Sequence, residues 1–240
     1  MAERSLIFPA AEYLRRVSAL QDGMGAAGLD ALLFTTPPDV FYVTGFLTRF
    51  WESPARPWFV ILPAVGAPVA VIPAIGAELM ARTWVEDIRT WDAPDPRDDG
   101  VSLLVETLAE TVPERGRVGL PMGAETHLRM PLADHAVVAA RLAPRAFADA
   151  TAVVRRVREV KSETEVDRIR ATCGIADRAF ARVPDIAPEC RTLAQVFRAF
   201  QITLLEEGAD WVAYVAGGAG PEGYGDVISP ADDRALQRGD

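Results

Sequence analysis

Short apolar runs alternate with stretches of helical periodicity over about the first 150 residues, which restricts this part of the chain to layered α/β architectures. Tyr13, Leu14, Val17, Leu20 and Met24 recur at helical spacing, and Gly28 stands where a left-handed C-terminal cap belongs. Ala31–Phe34 follows as a short buried strand. Thr36-Pro-Pro-Asp39 then offers an N-cap, a proline at the first helical position and an acid at N3, opening a short helix through Tyr42. Residues 58–62 and 69–72 flank 64–67 as a hairpin, and residues 87–91 form another strand. Val101, Leu104, Val105, Leu108 and Val112 mark a second amphipathic helix, followed by a strand at 118–120 and a third helix from near Met130 to Leu142.

The texture changes after residue 150. A segment rich in Arg and Val leads into Ser162-Glu-Thr-Glu165, a capping box, and Val166, Ile169, Cys173, Ala176 and Phe180 give the following helix one apolar face. A second box, Thr192-Leu-Ala-Gln195, opens a helix with Val196, Phe197, Phe200 and Leu204 inward and Gly208 at its end. Residues 211–215 read as the first strand of a further sheet. The expected domains are therefore 1–152 and 153–240.

Composition narrows the function classes. The formal net charge of −9 gives nucleic acid no electrostatic footprint, and Lys161 is the single lysine among 25 scattered basic residues. No apolar run approaches the ~20 residues of a membrane span, and the N-terminus has no apolar core of a signal peptide. The expected address is cytoplasmic. Cys173 and Cys190 form no CxxC pair and read as two reduced thiols.

Four segments, in order, carry a resemblance. They are Pro38-Asp-Val-Phe-Tyr-Val-Thr-Gly-Phe46, the pair Arg56-Pro-Trp-Phe-Val-Ile-Leu-Pro63 and Pro68-Val-Ala-Val-Ile-Pro73, the stretch Arg156-Val-Arg-Glu-Val-Lys-Ser-Glu-Thr-Glu165, and Arg234-Ala-Leu-Gln-Arg-Gly-Asp240. Each alone is weak, but together they resemble the creatinase and Xaa-Pro peptidase family of pita-bread hydrolases. The resemblance implies a creatinase-like N-terminal α/β domain followed by the incomplete start of an α+β pita-bread domain. It also implies a homodimer, with the N-terminal domain capping a partner subunit. In the family, the second domain binds divalent metals through Asp, Asp, His, Glu and Glu, and paired ions about 4 Å apart clamp a bridging hydroxide. The first of those ligands falls after the Gly239-Asp240 turn, so the resemblance implies no metal ligand within these residues. Manganese, cobalt or zinc is expected only in a completed member, and the chain alone is expected to be inactive.

Peptidases of the family usually carry a His some ten residues before that turn, whereas residues 217–230 contain none. The departure favours a small non-peptide C–N bond, as in creatinase or an ectoine-type hydrolase, beside a Xaa-Pro dipeptide. A non-catalytic peptide-binding module of related fold is the alternative. The matching family loop reaches a neighbouring subunit's active site, which makes Arg49, Trp51 and Arg56 candidate substrate-binding residues: an Arg for a carboxylate, the Trp as a wall. Tyr224, Asp226 and Ser229 are candidates near the missing His. No catalytic residue can be named.

Other motifs read as ordinary structure. His127 and His135 have no acidic or His cluster around them, and Gly217-Gly-Ala-Gly220 lacks the Gly-Lys-Ser and helix opening of a phosphate loop. Asp95-Pro-Arg-Asp-Asp-Gly100 lacks the alternating spacing of a calcium loop.

Overall fold

A computed structural model describes residues 7–52, 56–221, 223 and 225–240. The chain divides into two compact units, Met1–Val160 and Lys161–Asp240.

The first unit is built on a mixed sheet of six strands: β1 (Ala31–Phe34), β2 (Phe59–Pro63), β3 (Val69–Pro73), β4 (Asp87–Trp91), β5 (Arg117–Leu120) and β6 (Ala146–Asp149). Their spatial order is β4-β3-β2-β1-β5-β6. The hairpin β2–β3 and the β1–β2 pair are antiparallel, while β3–β4, β1–β5 and β5–β6 are parallel. Helix α1 (Ala10–Ala27) precedes β1, and α2 (Pro37–Thr44) follows it. The short α3 (Ala77–Met80) precedes β4, α4 (Val101–Thr111) precedes β5, and α5 (Leu132–Leu142) and α6 (Thr151–Glu159) flank β6.

Period-two alternation divides the strand residues between two cores. Leu32, Phe34, Val60, Leu62, Ala70 and Ile72 face one side, with Val17, Leu20 and Met24 of α1, Val40 and Val43 of α2 and Val154 of α6. Ala31, Leu33, Phe59, Ile61, Val71, Val118 and Leu120 face the other, with Leu104, Leu108, Val138 and Leu142 of α4 and α5. Covering both faces explains why β1 and β2 are continuous apolar runs. Each large side chain taken fully out of water contributes roughly 1.5–3 kcal/mol. The two edge strands are the polar ones, carrying Asp87 and Arg89 in β4 and Asp149 in β6, which discourages further pairing.

Three features differ from the sequence reading. Leu14 is 56% exposed, and Arg16 is buried in its place. The Arg16 guanidinium bonds Glu12 and the Tyr42 carbonyl, each at 3.0 Å, and lies over the Phe8 ring at 4.3 Å and the Tyr42 ring at 4.4 Å. Strand β6 was not anticipated, because Phe147 is the only strong strand former in Ala146–Asp149. Helix α6 belongs to the first unit, so the division follows Val160 and not residue 152. Val154 packs into the first core, and Arg158 pairs with Asp39 of α2 at 2.5 Å.

In the second unit, α7 (Glu163–Ala181), the short α8 (Val183–Ile186) and α9 (Leu193–Glu206) follow in turn. Both capping boxes form. Ser162 Oγ accepts from the Glu165 amide at 3.2 Å while Glu165 accepts from the Ser162 amide at 2.8 Å, and Thr192 and Gln195 do the same at 3.2 and 3.0 Å. Phe180 of α7 meets Phe200 of α9 at 4.9 Å, and Arg178 and Arg182 pair with Glu207 and Glu206. The expected strand at 211–215 is absent from the secondary structure. A strand exists through its ladder, and no neighbouring strand pairs with these residues among those described. Residues 232–236 instead run beside 190–194, with an antiparallel bridge between Thr192 and Ala235.

Candidate functional site

The candidate residues of the first unit sit where α2 leaves the sheet. Thr36 caps α2 in extended conformation, but its hydroxyl donates to Asp39 Oδ2 at 2.7 Å rather than accepting an amide. At the other end, the Thr44 hydroxyl donates to the Val40 carbonyl at 2.6 Å and accepts from the Phe46 amide at 3.0 Å. Gly45 turns the chain with φ 78°, in the left-handed region that a side chain disfavours. These bonds aim Phe46 into the core, where its ring lies 5.2 Å from Trp58.

Phe46 and Trp58 form the floor on which the next residues settle. A 3-10 turn, Arg49–Glu52, brings Phe50 to 6.2 Å and Trp51 to 5.6 Å from the Trp58 ring. Trp51 is half-buried, whereas Arg49 is on the exposed side of the turn. Arg56 is half-buried, with its guanidinium 5.9 Å from the Phe50 ring. The structure thus gathers Trp51 and Arg56 around one aromatic cluster, while Arg49 is exposed. The indole Nε1 of Trp51, the indole Nε1 of Trp58 and the Nε of Arg56 are buried without a hydrogen-bond partner among the described residues.

Sequence reasoning missed Arg129. Its guanidinium lies 4.9 Å from the Trp51 ring and donates to the carbonyls of Arg56 at 2.5 Å and Trp51 at 3.5 Å. Its amide donates to the Thr35 hydroxyl at 3.1 Å. Burial pushes the Arg129 guanidinium below its usual range. No local motif marks this residue, which lies far along the chain from the loop that it touches.

In the second unit, Asp226 Oδ1 accepts from the amides of Ile228 at 2.9 Å and Ser229 at 3.1 Å. The Ser229 side chain, then these amides, hold the Asp226 carboxyl below the usual carboxylate range. Both residues are exposed and border a cleft of about 190 Å³ with Gly218, Asp232 and Arg234. Tyr224 lies outside the described residues. A depressed carboxyl stabilises the turn above its unfolded pKa, and that stabilisation is lost as pH falls through the folded value. The Asp226 carboxyl is therefore expected to titrate below a model Asp in NMR, and Asp226→Asn should remove the pH dependence of the Ile228 and Ser229 amide shifts. An unshifted titration would refute the turn.

At the end of the chain, the Asp240 carboxylate accepts from Arg234 Nη1 at 2.7 Å and the Gln237 amide at 2.9 Å. Gly239 makes the turn with φ 97°. Among the described residues, no three His, Cys, Asp or Glu side chains are grouped as a metal site requires. Nor does any helix there have the length and apolarity to cross a membrane.

The profile described as the Creatinase/Prolidase N-terminal domain matches residues 16–160, ending where the first unit ends. The chain belongs to the creatinase/prolidase family. A curated relative, the probable dipeptidase PepE of Mycobacterium tuberculosis, is 34% identical over 97% of this chain and 59% of its own length. The crystal structure of dipeptidase PepE from Mycobacterium ulcerans superposes with a TM-score of 0.75 at 29% identity, covering 96% of this chain and 58% of that one. Prolidase from Thermococcus sibiricus reaches a TM-score of 0.78 at 19% identity, covering 95% and 59%, which speaks to the fold alone. The chain spans about 59% of the length of the curated dipeptidase that it matches. The match spans the mixed sheet and the loop after α2.

Proposed function

We propose that these residues form the front part of a cytoplasmic, homodimeric metallohydrolase that cleaves the C–N bond of a Xaa-Pro dipeptide or of a small amidine, lactam or guanidino compound. The observation that carries this reading is the match to a protein named a probable dipeptidase along almost the whole chain, at 34% identity. In this reading the ligands for manganese, cobalt or zinc lie outside the 240 residues, which contribute substrate binding. Trp51 and Arg56 wall the substrate and meet its carboxylate. Asp226 and Ser229 are the candidate substrate contacts of the second unit.

The deciding experiment compares two proteins. The 240-residue chain alone should bind no stoichiometric manganese, cobalt or zinc and hydrolyse no Xaa-Pro dipeptide. The full-length protein, expressed from a reading frame that continues past Asp240, should do both or should act on a small C–N substrate. Full-length protein inert toward all of these, yet binding peptides, would replace the enzyme by a binding module.

Within an active full-length protein, Arg56→Ala should raise KM roughly ten- to a hundredfold. A charged hydrogen bond is worth about 1.5–3 kcal/mol, and each ~1.4 kcal/mol is tenfold. Trp51→Ala should raise KM less. Unchanged kinetics for both variants would return the loop to plain surface.

A further inference from the structure

The loop after α2 has a support that its own sequence does not contain. Trp51 and Arg56 stand on either side of a short segment, and the Arg129 guanidinium reaches the backbone of both, donating to the carbonyl of Arg56 at 2.5 Å and of Trp51 at 3.5 Å. Its Cζ also lies over the Trp51 ring, 4.9 Å from the centroid. Arg129 is itself fixed, because its amide donates to the hydroxyl of Thr35 at the end of β1 and the next residue, Met130, is buried in the second core. A guanidinium can fork two donors toward separate carbonyls while its face rests on an indole. An ammonium offers neither the planar fork nor a flat face to stack on the indole. Among the described residues, Trp51 Nε1 and Arg56 Nε are buried with no acceptor, so these two donors remain unspent while the backbone carbonyls are engaged.

We infer that Arg129 is a positioning residue that holds Trp51 and Arg56 in place for an acceptor-bearing substrate group such as a carboxylate. The inference rests on the substrate-binding reading of the loop, but it separates into two measurable parts. Positioning acts through geometry, and a small misplacement of binding groups costs up to about a hundredfold in rate.

The first measurement uses the 240-residue chain. The Trp51 emission, isolated as the difference from Trp51→Phe, should shift to the red and be quenched more readily by acrylamide in Arg129→Gln. Arg129→Lys, which keeps the charge and much of the volume, should show the same change to a lesser degree. The second uses the full-length protein, where both variants should raise KM roughly tenfold with little change in kcat. The double variant Arg56→Ala/Arg129→Gln should be no worse than Arg56→Ala alone. A Trp51 signal unaltered in both Arg129 variants would overturn the positioning role, as would additive KM effects in the double variant. If Arg56→Ala leaves KM unchanged, the substrate reading fails, while the Trp51 signal still decides whether Arg129 orders the loop.

Discussion

Brief trypsin treatment of the 240-residue chain is expected to leave a resistant fragment ending close to Val160, with the peptides beyond it degraded. Arginines occur throughout both units, so cleavage preference comes from local stability and not from the supply of sites. The first unit closes two cores around six strands. Of the described hydrophobic residues that are buried, only Ala179 and Ile186 belong to the second unit. There Val166 is 39% exposed, Ile169 50%, Phe180 63% and Trp211 55%. A groove of about 750 Å³ also opens between Phe180, Val183, Phe197, Phe200, Val215 and Leu236. Two helices pinned by capping boxes and surface ion pairs have little to resist opening, since exposed pairs contribute at most about 1 kcal/mol each. Hydrogen exchange should follow the same order, with α7 and α9 exchanging well before β1 and β2. One cooperative unfolding transition, with both units equally protected, would contradict the expectation.

Gly45→Ala is expected to be among the most damaging single-methyl additions to this chain. The backbone there has φ 78°, and an added Cβ would lie 2.6 Å from Tyr13 Oη and 2.9 Å from Tyr13 Cζ. Tyr13 is fully buried, so its ring cannot swing into solvent to make room. Left-handed strain costs roughly 1–3 kcal/mol and overpacking a further 1–3 kcal/mol. A combined loss of roughly 2–6 kcal/mol is a large share of a domain stability of about 5–15 kcal/mol. Gly25→Ala is the control. It lies within α1, its added methyl meets nothing within 4 Å, and helix propensity should make it neutral to slightly stabilising. Urea unfolding of the three proteins measures both effects, and equal midpoints for Gly45→Ala and wild type would overturn the steric account.

The elements legible in the sequence were those whose signal is local. Gly28 adopts the left-handed cap expected of it, with φ 62°, and the boxes at Ser162 and Thr192 form with both reciprocal bonds. The hairpin and β1 could be read because runs of apolar residues are what a sheet covered on both sides demands. Long-range features left no such trace. Arg16 occupies an apolar face because the rings of Phe8 and Tyr42 receive it, and those rings lie outside its own helix. The stretch at 211–215 has the composition of a strand but finds no partner among the described residues. In the candidate loop, Trp51 and Arg56 were recognisable through a resemblance, whereas Arg129 depends on a fold that brings residue 129 beside residue 56.

The strand order carries a consequence for how the domain is made. β1 emerges early from the ribosome and finds β2 within some thirty residues, since Phe34 aligns with Val60. Its other edge is completed only by β5, where Ala31 aligns with Val118. Throughout the synthesis of the intervening chain, a nascent four-strand sheet therefore presents an unpaired backbone edge, the kind of surface on which chaperones act. The face that receives α1 waits longer still, because Val154 of α6 joins that core only near the end of the unit. Late closure of this kind leads to the expectation that changing translation speed across residues 90–155 changes the yield of folded protein.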